Sequence, residues 1–346
     1  MVQVRVVLTL CILLASVGAM AQSGFSFLEK KAEKKIVLQY DGKLITAYCY
    51  FDSTEKPVLY PVKTLSGITV TRGFPIAPRR GERTDHPHHV GLWFNYEKVN
   101  GLDFWNNSSA IPDNRKPDYG SIVHQKVLSA SAKKDVATLT VLSHWVDHKE
   151  NILLHETTTF SFRKRGMDFL IDRKCTLEAI SSEVVFTDVK DGLIGIRVAR
   201  SLEMPSPQTD RFIDSQGRET EEPALNNEGV TGMYLNREGI KGDEVWSSSS
   251  AWTQLYGYVR DEPLSIVIID HPENPGYPTY WHARGYGLFA ANPLGRKVFS
   301  EGKEELNLTL SKGQKQSFQY RVVIHDGEPL TGEEIDNIMS DFHKSE

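Results

Sequence analysis

Ile36-Val37-Leu38-Gln39-Tyr40-Asp41-Gly42-Lys43-Leu44-Ile45-Thr46-Ala47-Tyr48-Cys49-Tyr50-Phe51 sets two apolar, β-branched and aromatic runs on either side of an Asp-Gly pair. Asp-Gly accepts the positive backbone angles of a tight two-residue turn, so the stretch predicts a β-hairpin at the start of the fold. Runs of the same composition recur at 138–146, 157–162 and 167–177, the last two separated by Lys164-Arg165-Gly166. Others lie at 184–187, 195–199, 255–259, 264–270, 306–310 and 317–324, with Lys312-Gly313-Gln314 turning between the final pair. Short segments rich in Val, Ile, Thr and aromatics suit a pleated, half-buried surface. One helix is expected, at the C-terminus. There Thr331-Gly332-Glu333-Glu334 forms a capping box, and Ile335, Ile338, Met339 and Phe342 follow at helical spacing. The pattern predicts an all-β fold, a large antiparallel β-sandwich closed by one C-terminal helix. Strand number and length suggest an analogy with the supersandwich of galactose mutarotase-like proteins.

The first 21 residues read as a secretory signal: Arg5, an apolar run over 6–17, then Ala19-Met20-Ala21 as a small-x-small cleavage site. That run is shorter than the roughly 20 residues of a membrane-spanning helix, and no later segment approaches that length. Residues 22–346 are expected to form a single domain, periplasmic or secreted. A formal charge of −5 argues against broad attraction to nucleic acid or anionic lipid. Cys49 and Cys175 remain after signal removal. They are one disulfide or two buried thiols. Polar loops of unusual length, at 105–121 and 203–250, are expected to carry or cover a site.

Chemistry concentrates in two blocks. Asp85-His86-Pro87-His88-His89 places three imidazoles and a carboxylate in five positions, followed by Trp93, with Trp105 downstream. Pro87 biases His86 towards an extended conformation, so His86 and His88 are expected on one face of a stiff segment. Imidazoles titrate near neutrality and bind metals when neutral. The cluster therefore suits acid–base work, or metal binding completed by Asp85, His282 or His144. Its spacing matches no zinc signature. The second block runs from Asp270 and His271 through Tyr280, Trp281, His282, Arg284 and Tyr286 to Asn292. Aromatic faces pack on the apolar side of a sugar ring, while carboxylates, amides and arginine bond its hydroxyls. Glu156, Asp188, Asp191 and Glu203 are further carboxylates near strand ends. No G-x-S-x-G elbow, phosphate loop or dinucleotide fingerprint is present, which disfavours serine-hydrolase and nucleotide chemistry.

Tyr60-Pro61-Val62, Asp85 to His89 with Gly91-Leu92-Trp93-Phe94, Asn100 to Trp105, the second block, and Tyr320-Arg321-Val322-Val323-Ile324-His325-Asp326-Gly327 together resemble the bacterial PmoA-like family, which carries a methane-oxygenase label. The resemblance implies a domain of uncharacterised function in bacteria rich in polysaccharide-degrading systems, and through that setting a sugar-related role. Val90, Gly285 and Val245-Trp246-Ser247-Ser248-Ser249 depart from the family pattern, which has an arginine, an acid and a more basic segment there.

The leading expectation is an exported carbohydrate-active enzyme, hydrolysing, eliminating or epimerising a sugar derivative. His86, His88, His89 and His282 would do the acid–base or metal-ligand work, with Asp85 and Asp270 orienting them. Trp93, Trp105, His271, Tyr280, Trp281, Arg284, Tyr286 and Asn292 would bind the ligand. The alternatives are a non-catalytic periplasmic carbohydrate-binding protein and a metal-dependent oxygenase. No cofactor is specified by any motif, and both blocks must meet in space for the site to exist.

Overall fold

The computed structural model describes residues 23–344, so the expected signal segment lies outside the described residues. In chain order the strands are β1 (Phe25–Lys30), β2 (Lys35–Tyr40), β3 (Lys43–Cys49), β4 (Val58–Leu59), β5 (Leu92–Tyr96), β6 (Ser121–Ala132), β7 (Val136–Val146), β8 (Ile152–Arg165) and β9 (Asp168–Ala179). They continue as β10 (Val184–Phe186), β11 (Gly192–Arg197), β12 (Met233–Asn236), β13 (Trp252–Val259), β14 (Glu262–Asp270), β15 (Tyr280–Arg284), β16 (Leu288–Asn292), β17 (Leu308–Leu310) and β18 (Lys315–Asp326). Helices α1 (Arg296–Phe299) and α2 (Gly332–Lys344) complete the set of regular elements, with short 3-10 turns between strands.

Two eight-stranded sheets form, in the orders β1-β2-β3-β4-β5-β11-β16-β15 and β12-β13-β14-β18-β9-β8-β7-β6, with β10 and β17 pairing separately. Neighbours run antiparallel throughout. The fold is thus the expected all-β antiparallel sandwich. The hairpin at Asp41-Gly42 joins β2 to β3, and both turn residues take positive φ, 49° and 75°. Strands β1, β4, β5, β6, β12, β15 and β16 fall where no strand is read from the sequence.

Side chains alternate across a strand, and that alternation sorts the two faces of each sheet. Leu92, Phe94 and Tyr96 of β5 join the inter-sheet core with Ile194 and Ile196 of β11 and Phe289 and Ala291 of β16. Trp93, Leu288 and Ala290, between them in sequence, point the other way and build a second cluster with Trp105, Val37, Ala47 and Cys49. Cys49 and Cys175 are both buried free thiols in different sheets.

The outer face of the second sheet is covered by α2. Ile335, Ile338 and Phe342 pack on Leu170, Trp252, Val267, Ile269 and Val323. The capping box forms as expected: the Thr331 amide donates to Glu334 Oε2 at 2.8 Å and the Glu334 amide to Thr331 Oγ1 at 3.3 Å. The outer face of the first sheet has no such helix, and there the histidines gather. Among the described residues no helix is long and apolar enough to cross a membrane. Ile338→Ala should remove a buried anchor of α2 and lower stability by about 2–5 kcal/mol in urea unfolding, leaving the first sheet's face intact.

Candidate active site

Asp85 sits where the segment 72–91 crosses the outer face of the first sheet. Arg72, 1% exposed, donates from Nη1 to Asp85 Oδ1 at 2.8 Å, and Arg197 of β11, fully buried, donates from Nη2 to the same oxygen at 2.6 Å. Arg72 also donates to the carbonyls of Asp85, His86 and His89 at 2.8, 2.9 and 3.1 Å. Burial, and after it the neighbouring Arg197, push Arg72 down to about 9, which leaves it charged at neutral pH. Burial alone would raise Asp85, but Arg197, the His86 hydrogen bond and Arg72 outweigh it and hold the carboxyl well below the usual range.

The histidine segment is not extended. The His89 amide donates to the His86 carbonyl at 3.0 Å, and His86 has φ of +45°, so Pro87 and His88 occupy the middle of a turn. Arg72 overrides the local preference that Pro87 imposes, because three turn carbonyls converge on its guanidinium. The faces therefore differ from expectation. His86 and His89, not His86 and His88, stack in parallel, 4.8 Å between centroids at 2°. Tyr286 lies parallel to His86 at 4.9 Å and Trp93 to His89 at 5.2 Å, giving a bent column of four near-parallel rings in which Tyr286 also lies 6.4 Å from His89. Gly195 makes room at its foot, since a Cβ there would lie 2.8 Å from the Trp93 ring.

His86 Nδ1 lies 2.5 Å from Asp85 Oδ2. An ionised carboxylate only accepts, so Nδ1 carries a proton and donates it to Asp85. His88 and His89 lie beneath. Burial first, then nearby Lys56 and the other cations and imidazoles, push His88 down to about 2, and burial with His88 and Arg197 holds His89 well below its ordinary value. Their Nε2 atoms are buried without a protein partner.

A cleft of about 890 Å³ opens over this column, lined by Asp85, His86, His282, Arg284, Tyr286 and Trp246 among others. The two sequence blocks thus meet, through the His86–Tyr286 stack. His282 projects from β15 on the outer face, between the core residues Trp281 and Ala283. Its Nδ1 lies 3.4 Å from Asp191 Oδ1, and Lys190 Nζ donates to the other oxygen of Asp191 at 2.6 Å. Burial pushes His282 down to about 4 against the pull of Asp191, so the imidazole is neutral at physiological pH. Arg284 lies over the Trp246 ring at 5.5 Å.

Other expected site residues serve the framework. Asp270 accepts from the amides of His271 and Thr279 and from Asn274 Nδ2, closing the 270–279 loop; its burial raises it to about 7. His271 accepts from the Glu273 amide and packs edge-on against Phe342 of α2. Asn292 donates to the carbonyls of Val189 and Lys190 and accepts from the Leu294 and Gly295 amides. Trp93, Trp105 and Trp281 are at most 1% exposed and offer no stacking surface to solvent. Tyr280 stacks on Phe299 of α1. His144 stacks on His155 across β7 and β8 of the other sheet. Glu156 accepts from Trp145, Thr158 and Arg173; Asp188 caps α1 through the Lys297 amide; Glu203 accepts from Arg83. Asp191 alone of those four reaches a cleft histidine.

Arg72, Arg197, Lys190 and Trp246 escape the sequence reading. A buried arginine carries no local signature, although the outward phase of Arg197 in a strand of core residues was a usable sign. Among the described residues, no group of three or more His, Cys, Asp or Glu side chains is arranged to hold a metal ion.

Arg72→Met should cost about 3–5 kcal/mol, because it strips charge compensation from buried Asp85 and donors from three turn carbonyls. His282 supplies a pH signature. An unfolded histidine binds its proton near 6.5 and the folded one near about 4, so the unfolded state holds more protons between those values and stability falls as pH drops through that window. The stability gap between wild type and His282→Gln should shift against the wild type from pH 6.5 to 4 in parallel urea titrations. A gap independent of pH there would contradict the neutral, buried assignment.

Comparison with known proteins places these features in context. Among solved structures, the GH36 α-galactosidase AgaB from Geobacillus stearothermophilus is similar at 10% identity and TM-score 0.42, over 88% of this chain and 41% of that one. Galactose 1-epimerase from Lactobacillus acidophilus NCFM is similar at 11% identity and TM-score 0.37, over 89% of this chain and 100% of that one. A galactose mutarotase-like protein from Lactobacillus casei ATCC 334 has 11% identity and TM-score 0.31, with 87% and 100% covered. The chain thus spans about two fifths of the length of the α-galactosidase, 41%. No curated protein matches the sequence. The expected PmoA-like membership is overturned by the family model that does match, over residues 35–340, and nothing indicates a methane-oxygenase label. The chain belongs to the family of unknown function DUF6807.

Proposed function

We propose that the protein is an exported carbohydrate-active enzyme that moves protons on a sugar derivative bound over His86, His282 and Tyr286. The observation that carries this reading is the pairing of two imidazoles on one cleft, each beside its own carboxylate: His86 with Asp85 and His282 with Asp191. Asp85 fixes the His86 ring through its hydrogen bond, and Asp191, 3.4 Å from His282 Nδ1 without bonding it, would stabilise that ring when charged, as proton transfer requires. Tyr286, half-buried on the column, supplies one aromatic face for a ring's C–H side.

Epimerisation or elimination fits better than glycoside hydrolysis. Hydrolysis ordinarily uses two carboxyl groups, one of them protonated. Here Asp85 and Asp210 are paired with arginine, and Asp85 is held firmly ionised. Asp243 is the remaining carboxylate that lines the cleft, one short of a hydrolytic pair, and the imidazoles of His86 and His282 are the other groups placed to exchange protons. A binding role without turnover is less well supported, since three of the tryptophans that would form its platform are buried.

The test is solvent-deuterium exchange, followed by proton NMR, across a panel of neutral and acidic mono- and oligosaccharides. Wild type should exchange a carbon-bound proton or release an unsaturated product. His86→Gln and His282→Gln should each lower that rate by about 10²–10⁴ while folding normally by circular dichroism. Unchanged rates in both variants would sink the proposal.

A further inference from the structure

The charges around the cleft are unequal, and their bookkeeping can be done pair by pair. Arg83 donates to Glu203 at 2.7 Å and to Asp210 at 2.6 Å, and Arg200 pairs with Glu203, so two cations balance two acids. Lys190 balances Asp191. Asp85, by contrast, is shared by two guanidiniums, which leaves one positive charge in excess directly behind His86. Arg284 and Asp243 remain, both lining the cleft and of opposite sign. The excess persists in a chain whose formal net charge is −5. A cleft opposite in sign to its protein favours ligands of that protein's own sign.

The open end of the cleft is rich in donors. Arg284 carries five N–H groups in a planar fork and rests on the Trp246 ring, and Trp246 Nε1, a donor only, is buried without a protein partner. A planar guanidinium fork matches the geometry of an oxyanion. Asp243, whose carboxylate would lie 3.3 Å from a Cβ on Gly285, is the competing feature, because an acid there would favour an amino group instead.

We infer that the sugar derivative bears an anionic substituent, a carboxylate or a sulfate, and that Arg284, set over the Trp246 ring in the cleft wall, forms its subsite. The inference rests on the carbohydrate reading of the same cleft. Arg284 is then a specificity-determining residue, separate from the imidazoles.

Calorimetric titration of the mature protein with galactose, galacturonate, galactose 6-sulfate and galactosamine, and with the corresponding glucose series, tests it. Wild type should bind an acidic member of one series more tightly than its neutral parent, and whether the uronate or the sulfate leads identifies the substituent. Arg284→Gln should weaken that acidic sugar by about ten- to a hundredfold and leave the neutral parent unchanged, as loss of one charge-assisted contact predicts. Asp243→Asn should leave the acidic preference in place or strengthen it. Equal binding of neutral and acidic sugars, or a preference for the amino sugar lost in Asp243→Asn, would overturn the anionic subsite while sparing the carbohydrate reading. Binding of no sugar in either series would overturn both.

Discussion

Asp85 held between Arg72 and Arg197 is the contact on which the rest of the site depends. Placing three charges out of water costs several kcal/mol per ion, and that cost is offset only where geometry is good and the remaining donors find acceptors. Here they do. Arg72 satisfies three carbonyls of the turn besides Asp85, so the ion cluster and the backbone conformation are one structure. The left-handed His86, uncommon for a residue with a side chain, is tolerated because the guanidinium fixes the carbonyls around it. Loss of that guanidinium would release His86 from the column and from Asp85 together.

The sandwich explains why the cluster lies where it does. Both sheets bury one face against each other, and each has an outer face left over. Helix α2 covers one of these with an apolar stripe. On the other, β5, β11, β15 and β16 turn Trp93, Arg197, His282 and Leu288 outward, and the incoming segment 72–91 lies across them. The missing Cβ of Gly195 lets Trp93 and Trp105 approach the sheet closely. Strand β15 thus holds two of the cleft's charged or titrating groups, His282 and Arg284, while His86 is supplied by a turn whose Asp85 the strand residue Arg197 helps to anchor.

How much of this was legible in the sequence divides along a physical line. The hairpin at Asp41-Gly42 and the capped helix after Thr331 depend on neighbours in sequence, and both form as read. The conformation of His86 does not, since it is decided by an arginine fourteen residues away whose role no local pattern reveals. Strands β5, β15 and β16 were hidden by their own chemistry: Leu92-Trp93-Phe94-Asn95-Tyr96 and Tyr280-Trp281-His282-Ala283-Arg284 read as ligand-binding aromatics, and half of those side chains are core. Asp270, His271 and Asn292 show the converse error. Polar groups in a dense motif looked like a site, yet they close loops, because buried backbone amides and carbonyls must find partners.

The excess cation behind His86 ties the two proposals into one chemical argument. Burial first, and nearby cations after it, disfavour the charged form of His88, His89 and His282. Neutral imidazoles accept protons. A carbon acid is hard to deprotonate because negative charge builds on the oxygen attached to the neighbouring carbon, and fixed donors aimed at that oxygen lower the barrier. An acidic sugar seated with its carboxylate on Arg284 would place that oxygen against the guanidinium and an adjacent C–H towards the imidazoles. Asp191 would then stabilise the imidazolium that forms on His282, at the 3.4 Å separation already in place. The same positive field would in this way select the ligand, add to burial in keeping His282 neutral before reaction and absorb the charge that reaction creates.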